Sequence, residues 1–402
     1  MPRDDALPAQ TETPAAEAWR LAFGDLSVEA GLMLREAAEP RYFPAPEPGR
    51  YRGLLSVADL DAMLTTDAGR APRVTMANAE QQGSAGVAEE RFTLEDGRID
   101  PARLHARFDA GCTLVVSRFH ELHPPLARFC RGLEKVFLHA VQANIYLTPP
   151  GAQGFHAHYD THDVLILQVQ GAKQWRVWPG QRVPHPSRRT PWDRKLTAPD
   201  VDPWLPMMGP GDALYIPRGV MHDAAAQAAG EPSLHLTIGF LEPCWAEALR
   251  IALEIMEPED PVLREAFPTW RIGEPGAIEA MAAAAAAKLA SLTALPAMER
   301  FSVGMLDRLA REQMVHSART LVQREPGPDT RLRLSEMMHY HLAANPDGSA
   351  VLRWAGDPIP LAPDSIGWLE QLESGAAAAE LGGEDALAFC RKLCALGLLE
   401  PA

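Results

Sequence analysis

Two histidines and one aspartate are the side chains best placed to do chemistry. His158 and Asp160 stand at i and i+2 in the stretch QANIYLTPPGAQGFHAHYDTHDVLILQVQGAKQWRVW. In a strand, residues two apart share a face, so an imidazole and a carboxylate lie side by side. About 60 residues later, Gly211, Pro217, Gly219 and His222 follow the form G-x5-P-x-G-x2-H. A Pro-Gly turn there ends one strand and swings His222 back over the sheet. Two histidines and a carboxylate on one face of a metal leave three positions open. That is the ligand set of non-haem Fe(II) oxygenases, whose open positions take cosubstrate and O2. H-x-D alone is a weak signal in a chain with 13 histidines. Followed by this turn, both in β context, it outweighs the reading of satisfied surface or core histidines.

A second residue suggests what binds beside the metal. In KQWRVW, alternation puts Lys173, Trp175 and Val177 on one face and Gln174, Arg176 and Trp178 on the other. A lysine on an inward apolar face is costly unless an anion pairs with it, and a dicarboxylate ligand would meet that need. The competing reading is a lysine that snorkels to the surface. On the preceding strand Asn144 and Tyr146 share one face, and Val141, Ala143, Ile145 and Leu147 supply the other. A polar face opposite an apolar one fits a lined cleft.

The elements that must hold these residues are β in character. From about 136 to 245, VFLHAVQANIYL, DVLILQVQ, KQWRVW, ALYIP and SLHLTIGF are separated by Pro, Gly and Asp turns. Short strands at this spacing suggest a sandwich or barrel. Upstream, the first twenty residues read as a mobile tail. A mixed region follows, with a helical pattern in VADLDAML and strand-like runs in APRVTMAN and GCTLVVSRF. After Pro243 the pattern turns helical in WAEALRIALEIM, GAIEAMAAAAAAKLASL and MERFSVGMLDRLAREQMVHSARTLV, and REPGPDTR reads as a linker. The remaining residues mix strand-like RLRLSEMM and AVLRWAG with helical SIGWLEQLES and EDALAFCRKLCALGLL.

Composition bounds the possible roles. The 402 residues are 47% hydrophobic and 23% charged, suited to two or three domains. No apolar run approaches a membrane span, and the start MPRDDALPAQTETPAAEAW lacks the apolar core of a secretory signal. Five scattered cysteines argue for reduced thiols in a cytoplasm. With 38 basic against 53 acidic residues the formal charge is −15. Such a chain is poorly suited to gripping nucleic-acid phosphates and would attract a basic protein partner.

The block N-x-Y-x-T-P-P-x-x-Q-G-F-x-x-H-Y-D, the strand D-V-x-I-L-Q-V-x-G, K-x-W-R-V, LYIPRG-x-x-H and SLHLTIG resemble the JmjC-type 2-oxoglutarate oxygenases, and within them the ribosomal oxygenases. YRGLLSVADLDAML resembles the entry region of that family. The resemblance implies an α+β fold: a double-stranded β-helix (jelly-roll, cupin) catalytic domain over 21–244 with its core at about 136–244. A helical dimerisation domain over 245–325 and a winged-helix-like domain over 326–402 would follow, behind a tail at 1–20. It implies that His158, Asp160 and His222 bind Fe(II) and that Lys173 pairs with the distal carboxylate of the cosubstrate 2-oxoglutarate. Asn144 would assist, Tyr146 and Ser233 would face the target side chain, and O2 would be the oxidant. The implied reaction is hydroxylation of a side chain, histidine or arginine, in a ribosomal protein. A lysine at 173 matches members that hydroxylate histidine, whereas the arginine-hydroxylating branch typically has arginine there.

One departure stands out. Where the family commonly has proline two residues before the first ligand, this chain has His156. In a regular strand His156, His158, Asp160 and His162 would share a face. His156 is then a rim histidine facing solvent, a group that supports a metal ligand, a substrate contact, or a member of a rival set with His158 and His222 as in simple cupins. Other targets compatible with the same core are a peptide natural-product precursor and an N-methyl-lysine. A metal-binding cupin scaffold is the non-enzymatic alternative, though it has no need of Lys173. Cys390 and Cys394 read as buried helix thiols, His339 and His341 as surface residues. Trp175, Trp178, Trp192 and Trp204 read as core and loop anchors. Acidic residues exceed basic ones from 326 onward, so that region reads as an interaction module and not as a reader of DNA.

Overall fold

A computed structural model describes residues 13–402 apart from 67, 83–85, 192, 194–195, 293–294, 313–317, 319–324 and 346–347. The chain divides into two compact units, one ending at Glu242 and one running from Pro243 to Ala402.

The first unit opens with α1 (Pro14–Phe23) and α2 (Val28–Ala37), followed by β1 (Arg41–Phe43) and α3 (Val57–Leu64). Next come β2 (Val74–Ala77), α4 (Ala79–Gln82), α5 (Pro101–Asp109), β3 (Thr113–Val116) and α6 (Pro124–Phe137). Seven strands complete it: β4 (Ala140–Thr148), β5 (Asp163–Gln170), β6 (Lys173–Gln181), β7 (Met207–Met208), β8 (Ala213–Ile216), β9 (Val220–Ala226) and β10 (Ser233–Leu241). Among the described residues, the ten strands β1 to β10 form a seven-stranded sheet in the order β1-β8-β5-β10-β4-β3-β2 and a three-stranded sheet in the order β7-β6-β9. All the pairings are antiparallel. Two antiparallel sheets facing each other in this order make a double-stranded β-helix, or jelly roll.

The large sheet is buried on both faces, which explains why DVLILQVQ reads as a continuous apolar run. Leu165 and Leu167 of β5 join the outer core, with Leu234, Leu236, Ile238 and Phe240 of β10 and the residues of α1 and α6. Val164 and Ile166 point the other way, into a core shared with Trp175 and Val177 of β6 and Val220 of β9. The inner face is therefore covered by the small sheet, and the outer face by helices. On β4, Val141, Ala143 and Ile145 go outward as the alternation predicts.

The expected tail is corrected from residue 13 on. Thr13 caps α1 by accepting the N–H of Ala16 at 3.2 Å, and Pro14 occupies the first turn, where no N–H is needed. Ala18, Trp19, Ala22 and Phe23 then make one apolar stripe. Trp19 packs against Phe23 (ring centroids 4.5 Å) and Phe137 (5.8 Å). The Pro, Ala and acid that suggest a tail are also what a short capped helix uses. The expected strand start at 136 also gives way. Val136 and Phe137 finish α6, Leu138 breaks it in the left-handed region, and β4 begins at Ala140.

The second unit carries the expected helices as α7 (Trp245–Met256), α8 (Ala277–Leu292) and α9 (Leu295–Glu312). The end of the third helical pattern, beyond 312, falls largely outside the described residues. Then follow β11 (Arg331–Leu334), β12 (His341–Ala344), β13 (Ala350–Arg353), β14 (Ile359–Leu361), α10 (Pro363–Ser374), β15 (Ala376–Ala377), α11 (Ala378–Leu381), α12 (Glu384–Leu396) and β16 (Leu399–Pro401). Two three-stranded sheets, β15-β11-β16 and β12-β13-β14, share a core with α10 and α12 that buries Cys390 and Cys394. His341 is no free surface residue. Its Nε2 lies 3.3 Å from Asp307 of α9, which also takes Arg353 of β13 at 2.6 Å.

Because α1 is a core element, Trp19→Ala should lower the unfolding free energy by about 3–5 kcal/mol. Urea unfolding checks this, and a loss under about 1 kcal/mol would return residues 14–23 to the status of a tail.

Candidate metal and anion site

The segment bearing His158 and Asp160 is not a regular strand. It is an irregular link between β4 and β5 that touches β9 through isolated bridges, Gln153 with Ala225 and His158 with His222. His158 N–H donates to the carbonyl of His222 at 3.0 Å, and His222 N–H returns a bond to the carbonyl of His158 at 2.8 Å. This reciprocal pair puts the two rings beside each other across the seam, 4.6 Å between centroids and tilted by 55°. Gly219 then fixes Asp160, its N–H donating to the Asp160 carbonyl at 3.0 Å. Gly219 has φ +79°, and a Cβ there would meet the Val183 carbonyl oxygen at 2.0 Å, so no other residue fits the turn.

The result is a compact donor set. One ligand atom from each of His158, Asp160 and His222 lies within 4.8 Å of the others, with His222 Nε2 at 3.6 Å from Asp160 Oδ2. Both imidazoles are orientated for a metal. His158 Nδ1 meets the carbonyl of His156 at 2.8 Å and His222 Nδ1 that of Val220 at 3.0 Å. A carbonyl only accepts, so each Nδ1 carries the proton and each Nε2 keeps its lone pair for a cation. Burial, reinforced by His158, pushes His222 down to about 4, so it is a neutral ligand at physiological pH. The donors suit a divalent first-row ion.

His156 is exposed and contributes only its backbone carbonyl to this arrangement. The irregular backbone also turns His162 away, its Nε2 lying 3.1 Å from Gln142 Nε2. The four histidine and aspartate side chains of this stretch therefore do not share one face. The cupin-like set with His156 is not assembled.

A cavity of about 260 Å³ opens beside the donors and reaches Lys173. Lys173 is 4% exposed, which removes the snorkelling reading. Its Nζ donates to Thr148 Oγ1 at 2.9 Å and lies 3.5 Å from His235 Nδ1, and among the described residues no carboxylate pairs with it. Burial alone pushes this ammonium down to about 7. His235 is held far below the ordinary histidine range by burial and by Lys173, so it stays neutral. It stacks on Tyr146, rings 4.9 Å apart and within 2° of parallel. Trp175 stands between the two ends of the cavity, ring to ring with His222 at 6.1 Å and with His235 at 5.6 Å.

Of the residues expected around the metal, Tyr146 lines the cavity and two do not. Asn144 points its Oδ1 at the N–H of Arg118, 2.9 Å away, and Thr148 takes the place beside Lys173. Ser233 lies on the inner face of β10 but is fully buried beneath Gln168, whose Nε2 donates to its Oγ at 2.9 Å. His235, two residues on, is the member of that face that reaches the cavity. Strand alternation gives both missed residues: Thr148 follows Tyr146 by two, and His235 follows Ser233 by two. Of the four tryptophans, Trp175 and Trp178 are buried, Trp204 is exposed while pairing with Val177, and Trp192 lies outside the described residues.

With this geometry in hand, comparison with known proteins is decisive for the domain. The JmjC domain family matches residues 116–248. The chain carries a JmjC domain. Ribosomal oxygenase 1 of Homo sapiens is 33% identical over 209 residues, covering 51% of this chain and 31% of that protein. The bifunctional lysine-specific demethylase and histidyl-hydroxylase NO66 of Dictyostelium discoideum is 34% identical over 189 residues, covering 44% and 36%. The chain thus spans about a third of the length of the curated relatives it matches. The X-ray structure of Escherichia coli ycfD superposes with a TM-score of 0.55 over 93% of this chain and 96% of that one, at 17% identity. That structural likeness concerns the JmjC fold.

An anion that seats on Lys173 must stabilise its charged form and so raise its pKa. Binding of a small dicarboxylate should therefore take up close to one proton at pH 8 and almost none at pH 6, with affinity falling as pH rises past 7. Calorimetry in two buffers of different ionisation enthalpy measures this. Equal, near-zero uptake at both pH values would contradict a dicarboxylate on Lys173.

Proposed function

We propose that the chain is an Fe(II)- and 2-oxoglutarate-dependent oxygenase that hydroxylates a side chain, histidine or arginine, of a ribosomal protein. One observation carries the reading: a buried lysine with no carboxylate partner among the described residues opens into the same cavity as a two-histidine, one-carboxylate donor set. A scaffold that bound only metal would have no use for a desolvated ammonium, which costs stability unless an anion meets it. The names of the relatives, ribosomal oxygenase and histidyl-hydroxylase, support the same direction.

In this reading His158, Asp160 and His222 hold Fe(II). The metal, when bound, supplies O2 activation driven by oxidation of 2-oxoglutarate. The chain's own residues do the rest. Lys173 and Thr148 anchor the distal carboxylate by charge and hydrogen bond. Neutral His235 lets the ammonium keep its charge without a competing cation, and its stacking on Tyr146 fixes that wall of the cavity. Trp175, with Phe155, which lines the cavity 6.1 Å from Tyr146 and 5.9 Å from His158 ring to ring, excludes water between the two ends. Tyr146 faces the incoming side chain.

The second unit fits assembly. We assign 245–325 to self-association as a homodimer, because Trp245, Phe267 and Trp270 expose 77%, 61% and 72% of their surface. Residues 326–402, with paired small sheets and helices, fit a winged-helix-like module. The net charge of −15 suits a basic protein substrate in the cytoplasm and not a nucleic acid. Among the described residues no helix is long and apolar enough to cross a membrane.

Release of succinate from 2-oxoglutarate in the presence of iron and ascorbate tests the reading. Asp160→Ala should abolish it. Lys173→Ala should weaken 2-oxoglutarate by about ten- to a hundredfold, the loss of a charged hydrogen-bond partner, while leaving metal affinity in place. Full activity in Asp160→Ala, or unchanged 2-oxoglutarate affinity in Lys173→Ala, would refute it.

A further inference from the structure

We propose that Asp163 is a positioning residue for the metal site. Its carboxylate clips the turn before His222 to the segment carrying His158 and Asp160, and Arg35 of α2 holds that carboxylate in place. The proposal rests on the metal reading above. Asp163 stands three residues after Asp160, at the start of β5, with its side chain 6% exposed. Oδ1 accepts the backbone N–H of Arg218 at 2.9 Å, and Arg218 sits between Pro217 and Gly219 in the turn that delivers His222. Oδ2 accepts the hydroxyl of Tyr215 at 2.6 Å, from the strand that leads into the same turn. One carboxylate therefore bonds to the turn itself and to its approach. The Gly219 bond to Asp160 and the reciprocal bonds of His158 with His222 continue the seam.

Arg35 is fixed from several directions. Its Nε lies 3.5 Å from Asp163 Oδ2, Nη1 lies 2.8 Å from His139 Nε2, and Nη2 bonds Glu242. Its guanidinium lies 4.8 Å from the centroid of Phe137 and 5.2 Å from that of Phe240. Arg218 Nη2 reaches Glu242 at 3.3 Å, which ties the same turn to the same cluster. Neither Asp163 nor Arg35 lines the cavity, so neither touches a reacting atom. They act through the backbone, and they make the N-terminal helical segment part of what sets the ligand spacing.

Asp163→Asn keeps the size of the side chain and one acceptor, but presents an amide nitrogen to groups that now donate to an oxygen. The readout is Co(II) affinity and its visible absorption band, measured on the whole chain beside thermal unfolding. Leu236→Ala serves as control, because it lowers stability through a cavity in the outer core while its apolar side chain takes no part in the hydrogen bonds that hold the turn. Asp163→Asn should raise the Co(II) dissociation constant at least about tenfold and alter the band. Leu236→Ala should lose thermal stability yet bind Co(II) as the unmodified protein does. Arg35→Met should shift Co(II) affinity in the same direction by a smaller factor, and decides the matter if Asp163→Asn does not fold. Unmodified Co(II) affinity and band in the folded variant would overturn the proposal, as would an equal loss in Leu236→Ala. If the unmodified protein takes up no Co(II), the metal reading itself fails, and this inference with it.

Discussion

The site depends on a two-bond backbone bridge between His158 and His222. An irregular link has no sheet register of its own, so its side chains are aimed only by the few bonds it makes to regular structure. Here β9 supplies the register. Its pairing with β6 places His222 opposite Val177, and the bridge transfers that placement to His158. Asp160 follows because Gly219, at the turn into β9, binds its carbonyl. A slip of β9 by one residue would turn His222 out of the cavity, and the donor set would be lost.

The burial of the large sheet on both faces provides the second condition. Helices close its outer face, so the inner face is free to carry polar groups in a dry space. Along β4 and β10 that face presents Tyr146, Thr148 and His235, and β6 adds Lys173. Low local polarity explains both the depressed pKa of Lys173 and its attraction for an anion. The neutral histidine beside it matters as much as the lysine. A protonated His235 would repel the ammonium, and a carboxylate there would satisfy it and remove the need for a ligand.

Period-two alternation made much of this legible in the sequence. The inward face of KQWRVW and the outward face of β4 are as alternation gives them, because regular strands aim side chains predictably. His158 and Asp160 came out together for a different reason from the expected one, since a backbone bridge and not a strand holds them. Ser233 and Asn144 show the limit of alternation: it gives the face but not the depth along the strand, and both lie where neighbouring groups claim them. The α1 helix was hidden because its Pro, Ala and acid suit a tail as well as a capped helix, and only Phe137, far along the chain, shows what Trp19 packs against. Asp163 and Arg35 were invisible for the same reason, being partners separated by 128 residues.

The proposed activity inserts oxygen into a protein side chain. It is tested most directly by intact-mass measurement of the host's small basic ribosomal proteins, with the gene present and deleted. One protein should be heavier by about 16 Da when the gene is present, a single oxygen atom added by the proposed iron chemistry. A loss of about 14 Da per methyl group would point to demethylation by the same site. Identical masses for every ribosomal protein in the two strains would contradict the account.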